Sequence, residues 1–180
     1  MQNTDSGSNQ APYPNIPPLL ESRDEDYIGS GVTSTVAILG HPIHPILVIF
    51  PVAFLSGAAG SDVGFFLTQD PFWARASVWL LGAGGLTGIL AALVGIVDFI
   101  RIGKARERRA GWLHTIINIL ALVLTIVNYI SRSGDPVGAI VPIGLAISLV
   151  TATLLSVGGW YGGELSFRHK IGVVGTETRN

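Results

Sequence analysis

The chain has 180 residues, 48% of them hydrophobic and 13% charged, with a mean hydropathy of +0.51, much more apolar than an average water-soluble domain. Its net charge of −1 is the sum of segregated blocks, with no pooled basic surface for nucleic acid. The absence of cysteine excludes disulfides, thiolate metal sites, iron–sulfur ligation and cysteine nucleophiles, and leaves histidine, carboxylate and carbonyl groups as ligands. Residues 1–39 read as a tail. Its first part is polar, holds Pro12, Pro14, Pro17 and Pro18, and carries the acidic run Glu21, Asp24, Glu25 and Asp26, a composition that predicts disorder. It lacks the basic start, short apolar core and small-residue cleavage site of a secretory signal, so it is expected to stay attached and cytoplasmic.

Four apolar stretches follow, at about 45–68, 76–100, 112–130 and 137–158, most of them near the ~20 residues that cross a bilayer's hydrocarbon. They predict an all-α fold, an integral membrane four-helix bundle running up-down-up-down over residues 40–174, followed by a short tail at 175–180. Pro51 is expected to bend the first span, since it removes a backbone donor. Asp62, near the far end of span one, and Arg75, near the start of span two, are expected to pair across an antiparallel hairpin. Span two is crowded with Gly82, Gly84, Gly85, Gly88 and Gly95, and Gly84 with Gly88 forms a small-xxx-small pair. Such residues let helices approach closely in lipid, either within the bundle, against Gly60 and Gly64, or in a homodimer through span two.

Between spans two and three stand Arg101, Lys104, Arg106, Arg108 and Arg109, with Glu107 alone to offset them. Short loops rich in Lys and Arg stay in the cytoplasm. The connections at 69–75 and 131–136 then lie on the far side, and both termini are cytoplasmic.

With an even number of crossings, all four histidines reach one end. His41 and His44 open span one, Asp98 and Arg101 close span two, His114 opens span three, and Glu164 and His169 follow span four. In GHPIHP, Gly40 to Pro45, the two imidazoles fall on similar sides of a first helical turn if the helix begins by Pro42. His114 is expected in the first turn of span three, with Asn118 one turn deeper on the same face. Asp98, a carboxylate at a helix C-terminus, needs compensation, and Arg101, His44 and His114 are its candidates. A carboxylate that accepts the distal N–H of a ligating histidine fixes its tautomer, and a plain interfacial ion pair is the structural alternative. Gly162 and Gly163 are expected to turn the chain after Trp160 and Tyr161, folding Glu164 and His169 over the mouth of the bundle or leaving His169 in a solvated basic tail.

The order HPIHP before span one, Asp98 at the end of span two, Gly-Trp-x-His at Gly111 to His114 and GGELSFRHKIGVV after span four resembles the bacterial membrane family catalogued as domain of unknown function 2231. The resemblance covers about Gly40 to Val174, and the SGVTSTVAILGHP lead-in is most similar to cyanobacterial members. It implies a four-span protein of the bacterial inner membrane, or of a thylakoid membrane for a cyanobacterial member, without an assigned activity. Some relatives are fused to cytochrome c or Rieske-type domains, which implies a redox partner of that kind. The motif falls on His41, His44, Asp98, His114, Gly162, Gly163 and His169.

Three functions follow from these residues. A b-type haem held by His44 and His114 needs imidazoles on opposite sides of a flat ring, which bundle cores supply. A transition-metal site built on His41, His44, His114 and Asp98 uses the nitrogen and oxygen donors suited to zinc, iron, copper or nickel. The third is a non-catalytic subunit or stabiliser of a larger membrane complex, with the polar cluster, Arg101, Asn118, Glu164 and His169 included, as an interhelical hydrogen-bond network. No inverted repeat of broken spans points to a transporter, and no nucleophile elbow or phosphate loop points to a hydrolase.

Overall fold

The computed structural model describes residues 32–174. Two short strands, β1 (Val32–Thr33) and β2 (Ala37–Ile38), precede β3 (His41–Pro42) and the first long helix, α1 (Ile43–Thr68). α2 (Pro71–Arg101), a short α3 (Gly103–Glu107) and α4 (Arg109–Ser131) follow. A π-helical turn (Ile140–Gly144) leads into α5 (Leu145–Gly163), a second π-helical turn (Glu164–Arg168) and β4 (Ile171–Val174).

Four helical segments, Ile43–Thr68, Pro71–Arg101, Arg109–Ser131 and Ile140–Arg168, are long and apolar enough to cross a membrane. Their side chains are sorted for lipid. Trp79, Leu86, Leu93, Ile100, Val127 and Ile130 are exposed, while Ala58, Gly84, Ala121, Ser77, Asn128 and Arg132 are buried. A water-soluble bundle sorts the other way. In lipid the apolar side chains lose nothing by facing outward, and small or hydrogen-bonded residues hold the helices together.

The glycines of α2 are used inside this bundle. A Cβ on Gly84 would meet Leu55 at 2.5 Å, and one on Gly88 would meet Leu122 at 3.2 Å and Pro51 at 3.6 Å. Gly64 accommodates Trp73 instead of Gly84, and Gly60 has nothing within 4 Å. α1 continues through Pro51 as one helix.

Element ends differ from the hydropathy reading in ways with local causes. α2 starts at Pro71, where proline suits the first turn and Asp70 caps it by accepting from the Phe72 amide at 2.9 Å. α4 starts at Arg109, so His114 stands in its second turn. The fourth span is broken at Val141, whose extended backbone (φ −104°, ψ 131°) is the conformation a following proline, Pro142, enforces. Residues 32–39, part of the tail by composition, fold onto the bundle: β1 pairs in parallel with β4, and β2 pairs with β3. The acidic run and the rest of the proline-rich segment lie outside the described residues.

The expected partner of Asp62 is corrected. Arg75 is exposed, and Asp62 is fully buried in a two-pronged ion pair with Arg132, Nη1–Oδ1 2.6 Å and Nη2–Oδ2 2.7 Å. Arg132 Nη1 also donates to Ser77 Oγ (2.8 Å), Nε to Asn128 Oδ1 (3.0 Å) and Nη2 to Ser148 Oγ (3.3 Å). Asn128 Nδ2 in turn donates to Ser148 Oγ (2.9 Å) and to the Gly144 carbonyl (3.1 Å). A planar guanidinium with five fixed donors satisfies such a ring of acceptors. Arg75, at the start of a helix near the interface, is free to reach water. The network draws on α1, α2, α4 and α5 at the end away from the histidines.

Candidate functional site

At the other end a cavity of about 670 Å³ lies between the helices, within the range of small-molecule and cofactor pockets. His44 and His114 reach into it from α1 and α4, and small residues give it room: Gly88, Ala92 and Gly95 on α2, and Gly159, Gly162 and Gly163 on α5.

Each of the two imidazoles is fixed from a facing helix. His44 Nδ1 lies 3.0 Å from the Ala91 carbonyl of α2, and His114 Nδ1 lies 2.8 Å from the Gly158 carbonyl of α5. A carbonyl only accepts, so each ring donates from Nδ1, and in the neutral imidazole Nε2 is then the lone-pair nitrogen. Glycine is required behind both rings. A Cβ at Gly95 would come within 2.6 Å of His44 Cε1, and one at Gly162 within 2.9 Å of His114 Cε1. The rings approach each other with centroids 6.1 Å apart and planes at 88°. Asn118, one turn below His114, donates to the His114 carbonyl at 2.7 Å and packs on Gly158.

The remaining candidates are placed differently. His41 lies in β3 rather than in a first helical turn, because α1 begins at Ile43; it is exposed and its Nδ1 contacts the Leu39 carbonyl at 2.8 Å. It lines the cavity at its end. Asp98 is taken up by the lead-in, not by a histidine or by Arg101, which is exposed. Its Oδ2 accepts from Ser34 Oγ (2.6 Å), and its Oδ1 accepts from Thr35 N (2.7 Å), Thr35 Oγ1 (2.7 Å) and Val36 N (3.2 Å). Those donors answer the electrostatic need of a carboxylate at a helix C-terminus without any cation. Glu164 and His169 pair with each other at 3.9 Å, Arg168 stands 3.8 Å from the same carboxylate, and neither Glu164 nor His169 lines the cavity. Among the described residues no three His, Asp or Glu side chains are grouped to hold a metal ion, so His41, His44, His114 and Asp98 do not form one ligand set.

Two histidines on α1 and α4, the Gly-Trp-x-His run at the start of α4 and Gly162 against the second ring thus occupy one end of a lipid-sorted bundle. Residues 40–175 match the profile of DUF2231, described as a predicted membrane protein. The chain belongs to the DUF2231 family. It is a multi-pass membrane protein. No curated protein and no solved structure compared with the chain gives a match. The family span takes in both histidines of the cavity, Asp98, and the Gly162–Gly163 pair, and it begins at Gly40, beyond the Ser34–Val36 segment that binds Asp98.

Sequence reasoning missed the Ser34–Thr35–Val36 turn. Its signal was available: adjacent hydroxyl residues after a glycine form side-chain-to-backbone turns and present several donors to one carboxylate. It also missed the role of the small residues behind the histidines, which is visible only once the facing helices are in register.

Proposed function

We propose that His44 and His114 hold a b-type haem between them and that this DUF2231 protein is a membrane electron-transfer component. The observation that carries the proposal is the pair of Nδ1-anchored imidazoles with centroids 6.1 Å apart. A metal held by both rings would need ring centres no more than about 6.3 Å apart, the sum of two metal–nitrogen bonds of about 2.0–2.1 Å and about 1.1 Å from each nitrogen to its ring centre, and 6.1 Å meets that limit. A ligating histidine characteristically donates its other N–H to a carbonyl or carboxylate, which sets the tautomer and raises basicity. The glycines and alanines of α2 and the glycines of α5 keep side-chain bulk out of the cavity, and its volume suits a macrocycle. A bare metal ion is the poorer fit, since it asks for three or four protein ligands and the described residues do not group them.

A haem would supply one-electron transfer. The chain's part is to hold two imidazoles at a fixed spacing and to surround them with apolar walls, both of which tune a potential. The basic loop from Arg101 to Arg109 supports a cytoplasmic location for this end, hence for both termini. A cytochrome or Rieske-type domain is the class of redox partner the family resemblance suggests.

The competing proposal, a stabiliser of a larger complex, draws on the same Nδ1 bonds read as interhelical glue. One experiment separates them. Protein purified from membranes without a histidine tag is reduced with dithionite and scanned. Soret and α bands at stoichiometric haem support the cofactor site. A featureless spectrum, with added haemin binding the parent no better than His114→Ala, ends it.

A further inference from the structure

The carboxylate of Asp98 is spent on the segment that leads into the cavity wall at His41 and Pro42. Ser34, Thr35 and Val36 give it four hydrogen bonds of 2.6–3.2 Å across more than sixty residues of sequence. Ser34 is fully buried in this contact. From there the chain runs through the β2–β3 hairpin, where Ile43 N donates to the Val36 carbonyl at 3.1 Å, directly into the first turn of α1 and His44. The same lead-in is tied to the other terminus by the β1–β4 pairing, and Val32 packs with Ile102, Ala105, Ile171 and Leu165. His41 and Pro42 from the lead-in, with Ile171, Gly172 and Val173 from β4, are cavity walls. The two segments form a cap on the histidine end of the cavity, and Asp98 is the polar tie that fastens the cap to α2.

We propose that Asp98 is a positioning residue that latches residues 32–42 over the His44/His114 cavity, controlling entry to it from the aqueous side and setting the start of α1. Its carboxylate suits the task because one charged group accepts from two hydroxyls and two amides at once, and charge-assisted hydrogen bonds are about twice as strong as neutral ones. Once the latch is released, the lead-in keeps two short strand pairings, which are weak in isolation, and the packing of Val32 on Ile102, Ala105 and Ile171. The consequence for the cofactor rests on the haem proposal; the latch itself does not.

The absence of cysteine makes a clean test. Ala92→Cys places one thiol on the cavity wall contributed by α2. Labelling of the full chain, in detergent and without added haem, is timed with a charged, membrane-impermeant thiol reagent. Asp98→Ala, which removes all four bonds, and separately Ser34→Ala/Thr35→Val, which removes the two hydroxyl bonds and leaves the bundle itself intact, are each expected to speed labelling about tenfold or more, since the loss of even one charge-assisted hydrogen bond from a closing equilibrium carries a factor of about ten. Asp98→Glu, which keeps the charge, is expected to recover part of the protection. An unchanged labelling rate in the Ser34→Ala/Thr35→Val protein, folded by circular dichroism and gel filtration, overturns the latch. Faster labelling in a protein that has no haem spectrum would keep the latch and remove the haem, so the two failures are told apart.

Discussion

Asp62→Ala is the substitution for which the structure makes the sharpest demand on stability. Arg132 and Asp62 are both 0% exposed, and the guanidinium distributes its donors over Asp62 (twice), Ser77, Asn128 and Ser148. Removing the carboxylate deletes two charge-assisted bonds and leaves a buried cation whose remaining partners are neutral. Breaking a buried pair in this way costs about 3–5 kcal/mol, whereas a single neutral interhelical hydrogen bond in a membrane protein averages about 0.6 and reaches about 1.7 kcal/mol. Ser77→Ala is therefore expected in the lower range and Asp62→Ala in the upper. Replacing both charges, Asp62→Leu with Arg132→Met, is expected to cost less than either single change, because no unpaired charge is left. Arg75→Ala, an exposed position, is expected within about 0.5 kcal/mol of the parent. Denaturant titration in mixed micelles, arranged as a double-mutant cycle, measures all of these. A cost for Asp62→Ala no larger than that for Ser77→Ala, or a double mutant as unstable as the sum of the singles, would refute the reasoning.

Other positions follow from close approaches. Gly84→Ala sets a methyl 2.5 Å from Leu55 and is expected to destabilise by about 1–3 kcal/mol through overpacking; Gly60→Ala, with nothing within 4 Å, is the matched control in the same unfolding assay. Gly95→Ala drives a methyl into the His44 ring at 2.6 Å, so haemin titration should show weaker binding, while Gly60→Ala, open around its Cβ and away from the cavity, should titrate like the parent. Activity reporters fused after Asn180 are expected to be active only as cytoplasmic fusions, given the basic loop from Arg101 to Arg109; an externally active fusion would reverse the sidedness proposed for the histidine end.

The four spans were legible because a bilayer imposes a length and a composition that a sequence cannot hide. The shared end of the histidines followed from counting crossings. Pairings were less legible, since they depend on helix register. Proximity in the hairpin points Asp62 to Arg75, yet a fully buried carboxylate takes the cation that can be buried with it, and Arg132 sits among Ser77, Asn128 and Ser148, which share its donors. Asp98 was matched with charges because charges are what sequence reading counts; the donors that meet it are two hydroxyls and two amides. His41 and His44, three apart, were read as one helical face, and the helix begins between them.

The two-histidine assignment is tested most directly by the spin and ligation state of bound haem in the parent, His44→Ala and His114→Ala proteins, read by optical and electron paramagnetic resonance spectra. The geometry predicts a six-coordinate, low-spin haem in the parent and a five-coordinate, high-spin or weakly bound haem in each variant. Haem that stays low-spin and fully bound in both variants, or a parent that takes up none, would contradict it.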